Sequence, residues 1–435
     1  MVRSGMGSSC LGAKVGDTLT GVRMARNPKL DVLKSAIRKE HGRVAISMAN
    51  VIKEVPRISS GSLSFDRALG GGFPAGRSTI LRGPESSGKT VTAYRTIGEA
   101  QKLCANCFRP ARDLEFYEEE DSDGEIVTVA DGYCDCYKIG LMKTIQYPEE
   151  KIPDYKKRLK ELEENSFEEF RVALLDVEDV YDPSWASRLG VDGRRLLYLK
   201  PYTAEQATDL YDDLIRTAAV HMIVLDSIAA LAPKEEIEKS AYESTQALMA
   251  RVMGKFTRKE VSAVNYVSQY YRKLPTRIWI NQEREKLGVM YGDNTVMPAG
   301  KAQLFAGSVI VKMWASKWEK EVQDQDLKAD FQSEIGTKVR INFKTEKNRT
   351  APPKQKGSYT MWVSGENAGK VDELKYFLAM AEKLDLLKTE GEGNKKKWFV
   401  GDEEYTKKSD AISRIQEPET YDFMRKVILK RMLKT

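Results

Sequence analysis

The sequence predicts an α/β fold with a mainly parallel, twisted β-sheet flanked by helices, and three observations support this fold class. Short apolar runs that each end on a polar or charged residue occur at Thr79–Arg82, Val172–Asp176, Met222–Asp226 and Ile278–Gln282. Segments with helical spacing of apolar residues separate these runs, and such alternation is typical of parallel βαβ units. A hydrophobic fraction of 41% beside a charged fraction of 31% indicates a water-facing protein, and 435 residues suffice for an extensive core.

Composition excludes several classes of protein. The mean hydropathy is −0.49, and no apolar run approaches the ~18 residues that cross a bilayer, which excludes an integral membrane protein. The five cysteines are sparse and odd in number, so a reducing compartment is favoured over a disulfide-stabilised fold. The first thirty residues lack the apolar segment of a secretory signal. These observations predict a cytoplasmic protein without a membrane partner.

The order of elements along the chain predicts four segments. Residues 1–28 are mostly polar and are expected to be flexible. Residues 29–60 are expected to form a helix and then a strand, because helical spacing of apolar residues is followed by β-branched residues. Residues 61–365 carry the α/β core, which an insertion at 101–170 interrupts. Residues 366–435 are expected to form a small α+β C-terminal domain.

The net charge of +6 is unevenly distributed along the chain. Residues 1–60 hold eleven Lys or Arg against four Asp or Glu, whereas Asp113–Glu125 has eight carboxylates and no base. The last eleven residues, Arg425–Thr435, have five bases and no acid. A basic surface is typical of nucleic-acid binding but also of an ordinary solvated face, so charge alone leaves both interpretations open.

A phosphate-binding loop is predicted directly after the first apolar run. The pattern G-x-x-x-x-G-K-[ST] is completed by Gly83, Pro84, Glu85, Ser86, Ser87, Gly88, Lys89 and Thr90. In such a loop the glycines let backbone N–H groups surround the β-phosphate, and the following helix adds its partial positive charge. We expect Lys89 to contact the β- and γ-phosphates of ATP and the Thr90 hydroxyl to ligate Mg²⁺. A chance match in a glycine turn is disfavoured by the strand before the loop and the helix candidate after it.

Three polar residues lie near the carboxyl ends of the other predicted strands, where ligands bind in parallel sheets. Asp226 is expected to hold Mg²⁺ through water, and Glu178 to orient or deprotonate the attacking water. Gln282 is expected to contact the γ-phosphate and so to sense hydrolysis. A polar residue satisfied at a strand end remains the alternative for Gln282.

Five motifs of this chain resemble the RecA/UvsX recombinase family. They are GSLSFDRALGGGFPAGR, GPESSGKT, VLDSIAALAPKEEIE, WINQEREKLGVMYGD and EKNRTAPPKQ, in the family's order and across roughly residues 30–365. Five ordered motifs are far more specific than a phosphate-binding loop alone. GPESSGKT is similar to the bacterial members and EKNRT to the phage recombinases, which favours a phage-encoded protein in the host cytoplasm.

The resemblance implies a RecA-like P-loop ATPase core and roles for its site residues. Lys89 matches the family's phosphate-binding residue, and Thr90 matches its Mg²⁺ ligand. Glu178 matches the catalytic glutamate and Asp226 the Walker B aspartate. Gln282 matches the glutamine that senses the γ-phosphate. The helix and strand within residues 29–60 match the region through which family members pack on the next subunit. A helix that folds on its own core is the alternative for that region.

Two further pairs of residues acquire roles from the resemblance. Asp182 and Trp185 match the positions that hold the adenine, and tryptophan in place of the usual tyrosine retains a stacking face. Lys347 and Arg349 match the basic pair that a neighbouring subunit inserts toward the γ-phosphate. An arginine in the second position suits a planar, bidentate contact with phosphate.

Two loops would bind DNA if the chain acts as its family does. They correspond to about Glu235–Gln246 and about Glu283–Gly300. The candidate DNA-binding residues in the second loop are Arg284, Lys286, Gly288, Met290, Tyr291 and Gly292. Basic residues for phosphate, glycines for flexibility and an apolar or aromatic wedge suit a sequence-tolerant grip on a single strand. A glycine-containing surface loop is the alternative.

The resemblance implies an ATP-dependent homologous recombinase that forms a helical filament on single-stranded DNA. Such a protein searches duplex DNA for homology and exchanges strands, with DNA-stimulated ATP hydrolysis. Its partners would be single- and double-stranded DNA, further copies of itself, and a single-strand-binding protein or loader. Two alternatives remain open: a ring-forming helicase or branch-migration ATPase on the same fold, and an ATP-gated DNA-binding mediator.

The insertion departs from the family, which has far fewer residues between the positions of Lys89 and Glu178. The insertion contains Cys104, Cys107, Cys134 and Cys136. Their four thiolates would complete a tetrahedral structural Zn²⁺ site. Glu125–Asp131 alternates like a hairpin strand, which suits a zinc ribbon, and Glu149–Phe170 is a Lys/Glu-rich helix candidate. Four reduced cysteines without a metal are the alternative interpretation.

Overall fold

The computed structural model describes most of the chain between residues 55 and 432. The described residues are 55–105, 108, 115–120, 126–131, 169–239, 248–270, 274–285, 295–296, 302–322, 334–391, 396–401 and 403–432, together with 32, 35–37, 39 and 40. The chain forms two compact units, Met1–Ile52 and Lys53–Thr435. In the first unit the described residues are helical.

A nine-stranded sheet is the centre of the second unit. Six strands run parallel, in the spatial order β12 (Val309–Val322), β3 (Ser78–Gly83), β9 (Thr276–Gln282), β8 (Met222–Asp226), β6 (Val172–Asp176) and β7 (Leu196–Leu199). Beyond β12 the sheet continues antiparallel through β13 (Glu334–Asn348), β14 (Lys356–Trp362) and β15 (Val371–Asp372). The four apolar runs correspond to β3, β6, β8 and β9, so the predicted mainly parallel α/β fold is confirmed.

Helices follow most of the parallel strands. Their bounds are α1 (Leu63–Leu69), α2 (Lys89–Gln101), α3 (Pro183–Arg188), α4 (Ala204–Thr217), α5 (Lys234–Glu238), α6 (Leu248–Tyr270), α7 (Ala302–Ala306), α8 (Leu374–Lys383), α9 (Lys408–Gln416) and α10 (Pro418–Met432). Helix α4 begins after Thr203, whose side chain accepts a hydrogen bond from the Gln206 N–H and satisfies one of the free donors of the first turn. Helix α2 begins inside the predicted phosphate loop, so its N-terminus faces whatever that loop binds.

Among the described residues, short strands form four smaller sheets outside the nine-stranded sheet. The two-stranded pairs are β1 (Arg57–Ile58) with β2 (Phe73–Pro74), β4 (Glu115–Glu120) with β5 (Ile126–Asp131), and β10 (Arg284–Glu285) with β11 (Thr295–Val296). A three-stranded sheet near the C-terminus contains β16 (Leu387–Glu390), β17 (Lys397–Val400) and β18 (Glu403–Tyr405). No helix in the described part of the chain is long and apolar enough to span a membrane.

Two hydrophobic clusters lie on the two faces of the parallel strands. Along β6, Val172 and Leu174 belong to one cluster, whereas Ala173 and Leu175 belong to the other. Successive side chains of a strand point to opposite faces, so both faces of this strand are buried. Double burial is the reason why the sequence shows continuous apolar runs at these strands and no polar alternation.

The antiparallel pair β12–β13 extends past the end of β3. Strand β12 pairs with β3 only over Val309–Lys312, but it pairs with β13 as far as Val322. A Cβ on Gly83 would lie 2.1 Å from the carbonyl oxygen of Met313, so β12 passes directly against the first residue of the phosphate loop. The extension therefore forms a wall beside that loop.

The C-terminal elements pack around a third hydrophobic cluster. Phe377 of α8, Ile415 of α9 and Ile428 of α10 are buried in this cluster together with Leu63 of α1. The carboxylate of Glu373, just before α8, accepts a hydrogen bond of 2.6 Å from the Leu63 N–H. These contacts join the C-terminal helices to the start of α1.

A buried ion pair makes a second link between α10 and α1. The Arg425 guanidinium donates to Asp66, which is fully buried and also accepts hydrogen bonds from Ser59 and Ser60. We expect Arg425→Met to lower the free energy of unfolding by about 3 kcal/mol, because it leaves the Asp66 charge buried without its cation. Urea unfolding followed by circular dichroism measures this change.

The matched control for this ion pair is Arg414→Met. Arg414 of α9 pairs with Glu403 and Glu417 on the surface, where water screens the charges. Its replacement is expected to change the unfolding midpoint far less than Arg425→Met. Equal effects of the two substitutions would contradict a specific role for the buried pair.

The insertion is described in part. Strands β4 and β5 form an antiparallel hairpin, so the strand predicted within Glu125–Asp131 is present and its partner lies in the acidic run. The prediction of a helix over Glu149–Phe170 is wrong at its last two residues. Glu169 forms an extended bridge with Cys104, and the Phe170 ring is buried beside the His221 ring as the chain enters β6. The rest of that predicted helix lies outside the described residues.

Candidate functional site

The predicted phosphate loop joins the end of β3 to the first turn of α2. Gly88 has a φ of +84°, which residues with side chains rarely adopt, and a Cβ there would lie 2.4 Å from Ile341 Cδ1. Gly83 is constrained by the close approach of β12. Both glycines of the pattern are therefore required by the packing of β12 and β13 around the loop.

The ammonium group of Lys89 lies inside the loop. Its Nζ donates to the carbonyl oxygens of Gly83 (3.0 Å) and Pro84 (2.5 Å) and to the Ser87 hydroxyl (3.1 Å). The residue is 6% exposed, and burial lowers its pKa while the nearby Asp226 carboxylate opposes that shift. A buried cation whose direct partners are neutral oxygens is well suited to an anionic ligand.

Thr90 and Asp226 meet at the carboxyl end of the sheet. The Thr90 hydroxyl donates to Asp226 Oδ2 at 2.8 Å. Asp226 is 1% exposed, and burial raises its pKa to about 7. The hydrogen bond from Thr90 opposes this rise in pKa, whereas the nearby carboxylates of Glu178 and Asp176 add to it. A buried carboxylate beside a hydroxyl and other acidic groups is stabilised by a hard divalent cation, which prefers oxygen ligands. These residues therefore fit the Mg²⁺ that the sequence implies.

Two neighbouring side chains hold Glu178, which lies two residues beyond β6. The Gln282 amide donates to both carboxylate oxygens, at 2.9 and 3.0 Å, and the Ser227 hydroxyl donates to Oε1. The ends of β6, β8 and β9 thus supply one cluster. Glu178, Gln282, Asp226 and Lys89 line a single cleft of about 400 Å³. Ser227 was missed by sequence reasoning, although it directly follows Asp226.

Asp182 and Trp185, the predicted adenine-holding residues, lie at the start of α3. The Asp182 carboxylate accepts a hydrogen bond of 2.6 Å from the Trp185 N–H and so caps this helix. Trp185 is half-buried and lines the same cleft as the phosphate loop. The structure therefore brings the Trp185 ring to the predicted ATP site, whereas the Asp182 carboxylate is engaged in capping.

A charged network next to the phosphate loop was also missed. Arg82, the residue before Gly83, donates from Nε to Glu346 at 2.6 Å and from Nη1 to Glu283 at 2.5 Å. The Glu283 side chain is 2% exposed, and its backbone N–H donates to the Gly83 carbonyl at 3.0 Å. The network thus links the phosphate loop to the start of the predicted second DNA loop. An arginine within an apolar run was the available signal, but its partners are 201 and 264 residues away.

Lys347 and Arg349 lie at the opposite end of the sheet from the phosphate loop. Lys347 pairs with Ile310, which pairs with Ile80 of β3. Gly83 is three residues beyond Ile80 on β3, which is about 10 Å at about 3.3 Å per residue. Arg349 lies beyond Lys347 on the side away from Gly83, so its distance from the phosphate loop is larger. Burial and the Arg349 charge both lower the pKa of Lys347. Within one chain the structure does not bring this basic pair to the phosphate loop.

The predicted DNA-binding loops are only partly described. Arg284 begins β10, whose backbone pairs with β11 in antiparallel register. The other candidates in the second loop, Lys286, Gly288, Met290, Tyr291 and Gly292, lie outside the described residues. In the first loop the described part is the end of α5 and Lys239. Their role in DNA binding stays a prediction.

The predicted zinc site has no support in the structure. Cys104 is buried, whereas Cys107, Cys134 and Cys136 lie outside the described residues. Among the residues that the structure describes, no group of three or more His, Cys, Asp or Glu side chains is placed to hold a metal ion.

Comparison with known proteins places this chain in a family. The family model of the RecA N-terminal domain matches residues 29–111 and 158–366, more than half of the chain. Protein RecA of Oceanobacillus iheyensis is 31% identical over 369 residues, which cover 84% of this chain and 82% of that protein. Protein RecA of Chlorobaculum parvum is 30% identical over 405 residues, with 91% and 90% covered. Protein RecA of Bacillus thuringiensis is 29% identical over 382 residues, with 87% and 85% covered. The chain therefore belongs to the RecA recombinase family.

Proposed function

We propose that the protein is an ATP-dependent recombinase that assembles as a helical filament on single-stranded DNA, searches duplex DNA for homology and exchanges strands. The observation that carries this proposal is the convergence of Lys89, Asp226, Glu178 and Gln282 on one cleft, in a chain of the RecA family. We further propose that it acts in the cytoplasm, that of the host if it is phage-encoded. A single-strand-binding protein or loader is its proposed accessory partner.

The phosphate loop binds the triphosphate of ATP in this proposal. Backbone N–H groups at the start of α2 surround the β-phosphate, and Lys89 exchanges its neutral acceptors for β- and γ-phosphate oxygens. Thr90 and Asp226 would hold Mg²⁺, and the cation would neutralise part of the negative charge of the triphosphate. Since phosphoryl transfer needs positioning and charge stabilisation more than covalent chemistry, these groups provide most of what the reaction requires.

Glu178 is the proposed partner of the attacking water. Hydrogen bonds from Gln282 and Ser227 fix the carboxylate and leave it able to accept from a third donor. Glu178 then aligns the water or takes its proton as the water oxygen attacks the γ-phosphorus, while the bond from this phosphorus to the bridging β–γ oxygen breaks and ADP leaves. When the Gln282 amide turns to the γ-phosphate, it releases its hydrogen bonds to Glu178. Strand β10 begins two residues after Gln282, so the movement of Gln282 also shifts the start of β10.

Lys347 and Arg349 are proposed to act on the ATP of the neighbouring subunit. In their own chain they lie at the far end of the sheet from the phosphate loop. A head-to-tail arrangement of subunits supplies such a contact, and repeated without closure it gives a helical filament. This supports a head-to-tail assembly of subunits, either a filament or a ring, in preference to a self-contained ATPase.

The proposal is tested by ATP hydrolysis with and without single-stranded DNA, with electron microscopy of the same mixtures. We expect hydrolysis to be stimulated by DNA, and open helical filaments to form in the presence of ATP. Closed rings with stimulated hydrolysis would favour a helicase or branch-migration motor instead. DNA binding without any stimulation of hydrolysis would favour an ATP-gated mediator.

A further inference from the structure

Trp318 is a large apolar side chain that the proposed reaction leaves without a role. It lies on β12 beyond the end of β3 and is 61% exposed. Single exposed apolar residues are common on protein surfaces, so the exposure of Trp318 becomes informative only through its position. Trp318 lines the cleft that contains Lys89 and the phosphate loop.

The register of the sheet fixes where Trp318 lies relative to that loop. Trp318 pairs with Val339, which pairs with Met361, and all three line the cleft. The neighbouring cross-strand row contains Ile341, whose Cδ1 atom packs against Gly88 of the loop. Val339 and Ile341 are two residues apart, or about 7 Å along the strand. The Trp318 row is therefore the first apolar row beyond the phosphate loop.

The two ends of the cleft differ in chemistry. The loop end presents a buried cation, a hydroxyl and a carboxylate, from Lys89, Thr90 and Asp226. The other end is lined by the Trp318, Val339 and Met361 row, with Trp185 also lining the cleft. A ligand that satisfies both ends carries several negative charges and, a short distance away, a flat apolar ring. A nucleoside triphosphate has this arrangement.

We propose that the Trp318 indole is a second aromatic contact for the nucleotide base, supplied by the β12–β13 extension. Trp185 approaches the cleft from α3, after β6, whereas Trp318 approaches it from the antiparallel edge of the sheet. Base binding then involves two elements that belong to opposite sides of the phosphate loop. This inference rests on the proposed binding of ATP and deepens it.

The chain supplies a matched control for this proposal. Trp314 lies on the same strand, is 37% exposed, and pairs with Asn342, not with a residue of the apolar row. Among the described residues that line the cleft, Trp314 is absent. A general effect of removing an indole from β12 would therefore weaken nucleotide binding in both Trp314→Ala and Trp318→Ala. Loss of a contact with the nucleotide base would weaken it only in Trp318→Ala.

The test is calorimetric titration of wild type, Trp318→Ala, Trp318→Phe and Trp314→Ala with a nonhydrolysable ATP analogue and, separately, with inorganic tripolyphosphate. We expect Trp318→Ala to weaken binding of the analogue about 2- to 10-fold, the range for one aromatic contact. Trp318→Phe and Trp314→Ala should remain within about twofold of wild type, since phenylalanine keeps a stacking ring. Binding of tripolyphosphate, which has no base, should be the same for all four proteins and also shows that each is folded.

Other outcomes overturn the proposal in distinguishable ways. If Trp318→Ala bound the analogue as tightly as the wild type does, the contact between Trp318 and the base would be excluded. The proposal that the protein binds ATP would still stand. Equal weakening for the analogue and for tripolyphosphate would show that Trp318 supports the fold of the loop and does not bind the base. Failure of the wild type to bind the analogue would instead overturn the proposed function on which this inference rests.

Discussion

Replacement of Glu178 by glutamine is expected to lower kcat for ATP hydrolysis by at least about 100-fold, the lower limit for loss of a general base. Glutamine has nearly the same shape, but its amide has lost the charge that attracts the proton of the attacking water. The substitution does not alter Lys89 or Thr90, so ATP affinity is expected to remain within a few-fold of wild type. Single-turnover hydrolysis, measured beside nucleotide titration, separates these two quantities.

Asp179→Asn is the matched control for this substitution. Asp179 is the next residue, is exposed, and pairs with Lys200 on the surface. Removal of its charge is expected to leave kcat within about twofold, because exposed ion pairs contribute little. If Glu178→Gln retained wild-type hydrolysis, or if the Asp179 variant lost as much, Glu178 would not be the residue that activates water.

Lys89→Ala is expected to weaken ATP binding by about 30-fold or more, equivalent to the loss of about 2 kcal/mol for a buried charge-assisted contact. The Lys89 ammonium is the buried cation of the phosphate loop, so its loss removes the charged side chain that contacts the phosphate oxygens. Hydrolysis is lost as a consequence. Titration with a nonhydrolysable ATP analogue gives the change in affinity directly.

Lys102→Ala is the control for the loss of a positive charge at the other end of the same helix. Lys102 follows α2 and pairs with Glu99 on the surface. Nucleotide affinity of this variant is expected to be unchanged. Retention of full affinity by Lys89→Ala would contradict the assignment of the phosphate loop as the ATP site.

The strands that form the site are predictable because their burial is local to the sequence. Runs such as Met222–Asp226 are apolar on both faces and end on one polar residue, which is the pattern of a buried parallel strand. Since such ends meet at one edge of the sheet, the sequence alone groups Glu178, Asp226 and Gln282. Their positions in the structure agree with that grouping, since all three line one cleft and Gln282 bonds to Glu178.

Other features of the site depend on pairings that no local pattern contains. Arg82 meets Glu283 and Glu346 only because β3 lies between β9 and β12 and the chain returns through β13. Trp318 reaches the cleft because a hairpin extends past the end of β3, which depends on the register of two long strands. Sheet order and register are set by the whole fold, so these contacts could not be predicted from spacing along the chain.

The basic pair illustrates a different limit. Lys347 and Arg349 have positions that suit the family's γ-phosphate contact, yet in the single chain they lie at the far end of the sheet. A role that is fulfilled in a neighbouring subunit cannot be seen in the contacts of one subunit. Motif resemblance is therefore the source of that prediction, and assembly is needed to test it.

Strand exchange is the measurement that tests the central claim most directly. Circular single-stranded DNA and a homologous linear duplex are incubated with the wild-type protein and ATP, and joint molecules are resolved on a gel. A recombinase produces joint molecules that require ATP and homology, and a heterologous duplex yields none. Vigorous DNA-stimulated hydrolysis without joint molecules would contradict the account and favour a motor that uses the same ATP site for another purpose.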